Sequence, residues 1–115
     1  MHELSIAMSI LEMAEDEAER RGGVRIDAIY LKLGALSGVV EDALQSSYEI
    51  ASYGSALNGS RLLIENVPVT VYCPNCCMER QLKTIQNFSC PDCGVLTPQV
   101  VHGRELEVTA LEISE

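Results

Sequence analysis

The sequence predicts an α+β fold, a small sheet with two helices forming a body that carries an inserted zinc-ribbon-like module. Three observations carry this expectation. Two stretches place apolar residues at helical steps, three runs read as strands, and all five cysteines fall in one segment between the last two runs. With 115 residues there is room for one domain, or for one domain and a small satellite. Hydrophobic residues make up 47% of the chain, but with no Trp and one Phe the core must come from Leu, Ile, Val and Ala. Such a core suffices for a thin two-layer fold.

The first helix is expected over residues 4–21. Ala7, Ile10, Leu11, Ala14 and Ala18 recur at steps of three and four and share one face. Glu12, Glu15, Asp16, Glu17 and Glu19 line the other, which reads as a solvated surface, with a docking surface as the alternative. Asp16 with Arg20 and Glu17 with Arg21 stand at the spacing that supports a helix, and Gly22-Gly23 ends it.

Residues 24–33 (VRIDAIYLKL) are rich in β-branched and large apolar side chains and predict a strand closed by Gly34. The alternation changes phase near Ala28-Ile29, which implies a bulge or burial on both faces. In GALSGVVEDALQSSYEIASYG, Val40, Ala43, Leu44, Ser47 and Ala51 line a second helix ending at Gly54, and Ser37 or Ser52 is placed to cap or close turns. Residues 61–71 (RLLIENVPVTV) form a further strand whose ladder stops or turns to an edge at Pro68. ELEVTALEIS changes phase at Leu111 and reads as a strand returning to the first sheet. The expected division is a body of residues 1–67 plus 104–115 and a zinc-binding module of residues 68–103.

Eight basic against seventeen acidic side chains give a net charge of -9. In residues 68–103, Glu79 and Asp92 balance Arg80 and Lys83, so the whole excess lies elsewhere. A negative surface opposes phosphate and anionic lipid, so proteins or cations are the expected partners, with no nucleic acid and no membrane. No apolar run reaches the roughly 18 to 20 residues of a membrane span, and no signal-peptide pattern opens the chain, so the expected location is cytoplasmic.

In a cytoplasmic protein, clustered cysteines point to metal or redox chemistry rather than a disulfide framework. Cys73 and Cys76 form one C-x-x-C, Cys90 and Cys93 another, with thirteen residues between the pairs. Each pair can clamp a tetrahedral ion from one tight turn, and the spacer allows a short hairpin that joins the turns. Four thiolates leave no open position, so the site is expected to be structural zinc, with paired redox thiols as the alternative. Gly94 follows the second pair, whereas Cys77 follows the first. Cys77 is therefore either a free thiol or, in a C-x-x-x-C register, a ligand in place of Cys76; the likeness of the two turns favours Cys76.

The opening MHE raises a separate question. His2 reads either as a polar residue on a frayed terminus or, with the Met1 α-amine, as part of a metal chelate. The amine and the His2 amide nitrogen close a five-membered ring, and that amide with Nδ1 of the imidazole closes a six-membered one. The Glu3 amide or carboxylate, a water or a partner's side chain can take a further position, and such tetragonal N,O coordination suits Ni(II) or Cu(II). Protons compete for these nitrogens near neutrality, so affinity is expected to fall on acidification.

Met-His-Glu-Leu-Ser at the start, GALSGV opening a helix, and an inserted pair of C-x-x-C motifs followed by a Gly-x-Glu-Leu strand together resemble the HypA/HybF family across essentially the whole chain. The resemblance implies a non-enzymatic nickel metallochaperone serving maturation of NiFe hydrogenase and, in some bacteria, of urease. It implies His2 as nickel ligand with Met1 and Glu3 beside it, and Cys73, Cys76, Cys90 and Cys93 as zinc ligands. Implied partners are a nickel-handling GTPase of the HypB type and the hydrogenase large-subunit precursor; a homodimer is left open. Cys77 departs from the family pattern, where a small residue is expected. His102 reads as an exposed residue at a domain junction, with a supplementary nickel ligand as the alternative. The competing classes are a nucleic-acid-binding zinc ribbon, weakened by the charge distribution, and a thiol oxidoreductase. No nucleophile with a partnered base and no phosphate-cradling loop supports an enzyme.

Overall fold

The apolar stripe of the first segment forms α1 (Glu3–Arg20) and buries Ala7, Ile10, Leu11 and Ala14 in a computed structural model that describes residues 2–114. The helix closes as its double glycine requires. Gly22 and Gly23 both adopt positive φ, and their N–H groups donate to the carbonyls of Glu19 (3.1 Å) and Ala18 (2.9 Å), satisfying carbonyls that the helix leaves free. Arg20 and Arg21 both pair with Glu17, at 3.2 and 2.8 Å. The expected Asp16–Arg20 pair gives way because a residue three positions back is also within reach on a helix surface.

Next come β1 (Arg25–Gly34), α2 (Glu41–Ser52), β2 (Arg61–Val67), β3 (Thr70–Cys73), β4 (Met78–Gln81), β5 (Val100–His102) and β6 (Leu106–Ser114). One sheet has the order β2-β1-β6, and the other has the order β4-β3-β5. In β1, the central strand, Ala28 and Ile29 are buried in succession on opposite faces, which accounts for its phase change, while Tyr30 is exposed. The run across Pro68 divides into β2 and β3, because proline has no N–H for the ladder.

Helix α2 packs on α1 along Leu44, Tyr48 and Ser52, with Ala43, Ser47 and Ala51 half-buried beside them. The centre of the buried face thus includes Tyr48, whose hydroxyl is satisfied by Ser60 Oγ at 2.6 Å; burial pushes its phenol up from the usual value. Val40 lies at the N-cap, exposed, instead of within the apolar face. The Ser37 N–H closes a turn onto the Gly34 carbonyl, and Ser52 ends the helix with its hydroxyl on the Glu49 carbonyl.

The chain forms two compact units. The first comprises Met1–Lys32, Val39–Glu65 and Glu107–Glu115; the second comprises Leu33–Gly38 and Asn66–Leu106. The second has a small apolar core of Val69, Val71 and Leu82, covered by Leu36, Phe88 and Val100. Leu36 is brought there by Gly34. Backbone bonds run from the Gly34 N–H to the Glu105 carbonyl (2.7 Å) and from the Leu36 N–H to the Gly103 carbonyl (2.6 Å), and a Cβ at position 34 would overlap the Gly103 carbonyl. Gly34 is thus required for a close backbone approach, beyond merely ending a strand.

Candidate metal centre

Cys73 is the last residue of β3 and lies opposite Met78, the first of β4, so the first C-x-x-C is the turn of this hairpin. The second pair occupies a turn closed by the Ser89–Leu96 bridge and by a bond from the Cys90 N–H to the Val95 carbonyl, 2.8 Å. The residue after each pair is left-handed, with φ of 55° at Cys77 and 78° at Gly94. The two turns are alike in backbone, although only the second carries the glycine that this conformation favours.

These turns bring Cys73, Cys76, Cys90 and Cys93 together, with all four Sγ atoms within 4.8 Å of one another. Cys73 Sγ lies 3.5 Å from Cys93 Sγ, and Cys76 Sγ lies 3.9 Å from Cys90 Sγ. A tetrahedron with metal–sulfur bonds of about 2.3 Å has edges of about 3.8 Å, so the separations fit a four-thiolate ion. They are too long for disulfides, and all the cysteines are free thiols. Cys77 does not join the cluster. It is exposed, and its thiol is directed to the Pro74 carbonyl at 3.4 Å.

The surroundings favour thiolate. The Cys76 N–H donates to Cys73 Sγ at 3.3 Å. The Cys93 and Asp92 N–H groups bring the Cys90 thiol down to about 6, and the Val95 N–H with the Asn75 side chain holds Cys93 below the usual thiol value. Without an ion, four thiols this close cannot all ionise; the neighbouring thiols, Cys73 first, push Cys76 up to about 12. A divalent cation relieves that crowding, and four sulfurs leave it no open position.

In the sequence Arg80 and Asp92 stand out only as balancing charges. Arg80 lies opposite Val71 in the β3–β4 ladder and so shares a sheet face with Cys73, two residues along β3. Its Nε approaches Asp92 Oδ2 at 2.8 Å as an ion pair, without hydrogen-bond alignment. The usable signal was a basic residue at an even step along the strand leaving the first turn.

At the amino-terminal end, His2 is the N-cap of α1 with extended backbone (φ -86°, ψ 99°), exposed and without a side-chain cap bond; Met1 lies outside the described residues. The His2 carbonyl accepts from the Ile6 N–H at 3.2 Å. The His2 and Glu3 N–H groups have no intrahelical acceptor, as at any helix start. Glu3 Oε2 accepts from the Val40 N–H at 3.2 Å, thirty-seven residues away, and this bond holds its carboxyl below the usual range. His102 is exposed in β5, its Nδ1 3.2 Å from Glu105 Oε2. Among the described residues it belongs to no cluster of metal-ligating side chains.

Fold and site define the class, a small α+β protein with a closed four-thiol site of the kind that holds a metal ion. A family model described as hydrogenase/urease nickel incorporation, metallochaperone, HypA matches residues 1–113. The chain is 52% identical to the hydrogenase maturation factor HypA of Chloroflexus aurantiacus, over 97% of this chain and 98% of the relative. It is 46% identical to that of a Roseiflexus species, over 100% and 94% of the two chains. A solution structure of the Ni metallochaperone HypA from Helicobacter pylori shares the fold, with a TM-score of 0.64 at 22% identity over 98% of this chain and 97% of that one. A second HypA solution structure aligns at a TM-score of 0.71 and 21% identity, covering 99% of this chain and 97% of the other. The chain belongs to the HypA family of nickel-incorporation metallochaperones. It is a maturation factor rather than an enzyme, acting with the hydrogenase maturation machinery.

Proposed function

We propose that this chain binds Ni(II) at its amino terminus through Met1, His2 and Glu3 and delivers it during maturation of NiFe hydrogenase, with urease a further recipient in organisms that make it. The observation that carries this reading is His2 at the N-cap of α1, in a chain of this family, where its own N–H and that of Glu3 lack helical acceptors. Neither nitrogen is held by a helix carbonyl, so a metal at the His2 amide costs no helix hydrogen bond, whereas the Glu3 N–H is met by its own carboxylate. The Glu3 carboxylate accepts from the Val40 N–H and from its own N–H, which favours a water or a partner's side chain for the fourth planar position. An exposed terminus with positions left open suits a carrier that must release its ion.

Cys73, Cys76, Cys90 and Cys93 hold structural Zn(II) in this reading, in a module of residues 68–103 on a nickel-binding body of residues 1–67 and 104–115. The ion ties together two turns whose shared apolar core is small. The nickel acceptor is a HypB-type GTPase, with the hydrogenase large-subunit precursor downstream, and the protein works in the cytoplasm. No helix among the described residues is long and apolar enough to cross a membrane. A homodimer is compatible with this scheme but not required by it.

The test is a nickel titration of untagged protein retaining Met1, beside His2→Ala, with zinc counted in both. Uptake of about one nickel by the parent, lost in the variant while zinc is kept, supports the terminal chelate. Equal nickel binding by both proteins overturns it and moves the search to His102 and Cys77.

A further inference from the structure

Sulfur is not the only charged chemistry around the four-cysteine site. A divalent ion held by four thiolates carries a formal charge of about minus two, and groups around a metal's ligands tune how firmly the ion is held. Within residues 68–103 the acidic side chains, Glu79 and Asp92, cannot offset that charge. The cation placed to do so is Arg80, which stands on the Cys73 face of the β3–β4 hairpin. Its Nε is shielded from solvent, and its side chain as a whole is 27% exposed. The guanidinium lies beside the Cys76 and Cys90 thiols, one from each turn.

Asp92 lies between Cys90 and Cys93 in the second turn, and its 2.8 Å approach to Arg80 Nε ties that turn to the strand leaving the first. Its carboxylate is 61% exposed, so water screens its charge more than that of the shielded guanidinium. The pair therefore leaves net positive potential on the sulfur side while fixing the direction of the fork. Arginine suits this place because a planar guanidinium can face a carboxylate and two sulfurs at once, whereas an ammonium is a point charge.

We infer that Arg80, oriented by Asp92, is a positioning residue for the four-thiolate metal site, clamping the two cysteine turns together and offsetting the thiolate charge so that the ion is retained. The inference rests on the reading of the four cysteines as a zinc site.

The experiment is competition for zinc between a chromophoric chelator and the full chain, as parent, R80Q, R80K and D92N, with the rate of zinc loss measured alongside. R80Q is expected to bind zinc about 10- to 100-fold more weakly, the range for loss of a group supporting metal ligands. R80K should recover part of the loss through its charge, a rescue that packing alone does not supply, and D92N should fall between R80Q and the parent. R80Q within about twofold of the parent overturns the inference and leaves the zinc site standing. A parent chain that takes up no zinc overturns the reading beneath it. If R80Q does not fold, D92N decides, and unchanged affinity and zinc-loss rate there overturn the clamp.

Discussion

Replacing Cys77 by glycine tests both the register of the metal site and the backbone that builds it. Cys77 has φ of 55°, the conformation that Gly94 adopts in the second turn. A residue with a Cβ incurs about 1–2 kcal/mol in the left-handed region. Glycine removes that strain but gives up about 0.5–1 kcal/mol of additional backbone entropy on folding. The exposed thiol contributes little that would be lost, since its contact with the Pro74 carbonyl at 3.4 Å is a weak S–H bond. The expected net gain is about 0.5–1 kcal/mol. Because metal binding and folding are coupled in such a turn, this corresponds to roughly two- to fivefold tighter zinc binding. The assay is denaturant unfolding of the zinc-loaded chain together with chelator competition, with Cys77→Ala as control. Alanine keeps the strain and removes the sulfur, so it should show no gain. Loss of zinc in both variants would make Cys77 a ligand and refute the Cys76 register. An unchanged or lowered stability of the glycine variant would refute the strain argument.

Two further outcomes follow from the fold. Gly34→Ala forces a methyl group into the Gly103 carbonyl and is expected to destabilise the protein by about 2 kcal/mol or more, read by urea unfolding; parent-like stability would show that the approach can open at little cost. Glu3 and Glu105 titrate below the ordinary value of 4.5, because Glu3 accepts from the Val40 N–H and Glu105 from its own and the Gly103 N–H groups. Their contribution to stability is full above the unfolded value and disappears as pH falls through the lowered folded value. Glu3→Gln and Glu105→Gln should each flatten the acid limb of stability against pH, and a limb identical to the parent's would remove these bonds from the account.

Much of the chain was legible because its information is local. Helical spacing from Ala7 to Ala14 and the break at Pro68 each reflect a backbone rule acting over a few residues. The cysteine pairs were legible for the same reason, since two thiols on one turn are set by spacing alone. Less legible were β3, β4 and β5, short strands in a segment dominated by its cysteines, whose pairing depends on partners distant in sequence.

The sequence by itself thus determined the elements, the α+β class and which thiols could share an ion. The tertiary structure decided what those elements do to one another: Glu3 bound to the start of α2, Gly34 against Gly103, and Arg80 drawn to Asp92 beside the thiols. Each is a contact between residues far apart in the chain, and no local propensity encodes it. Such contacts exist only after strand pairing and core packing have fixed the register, because that register selects which side chains share a face.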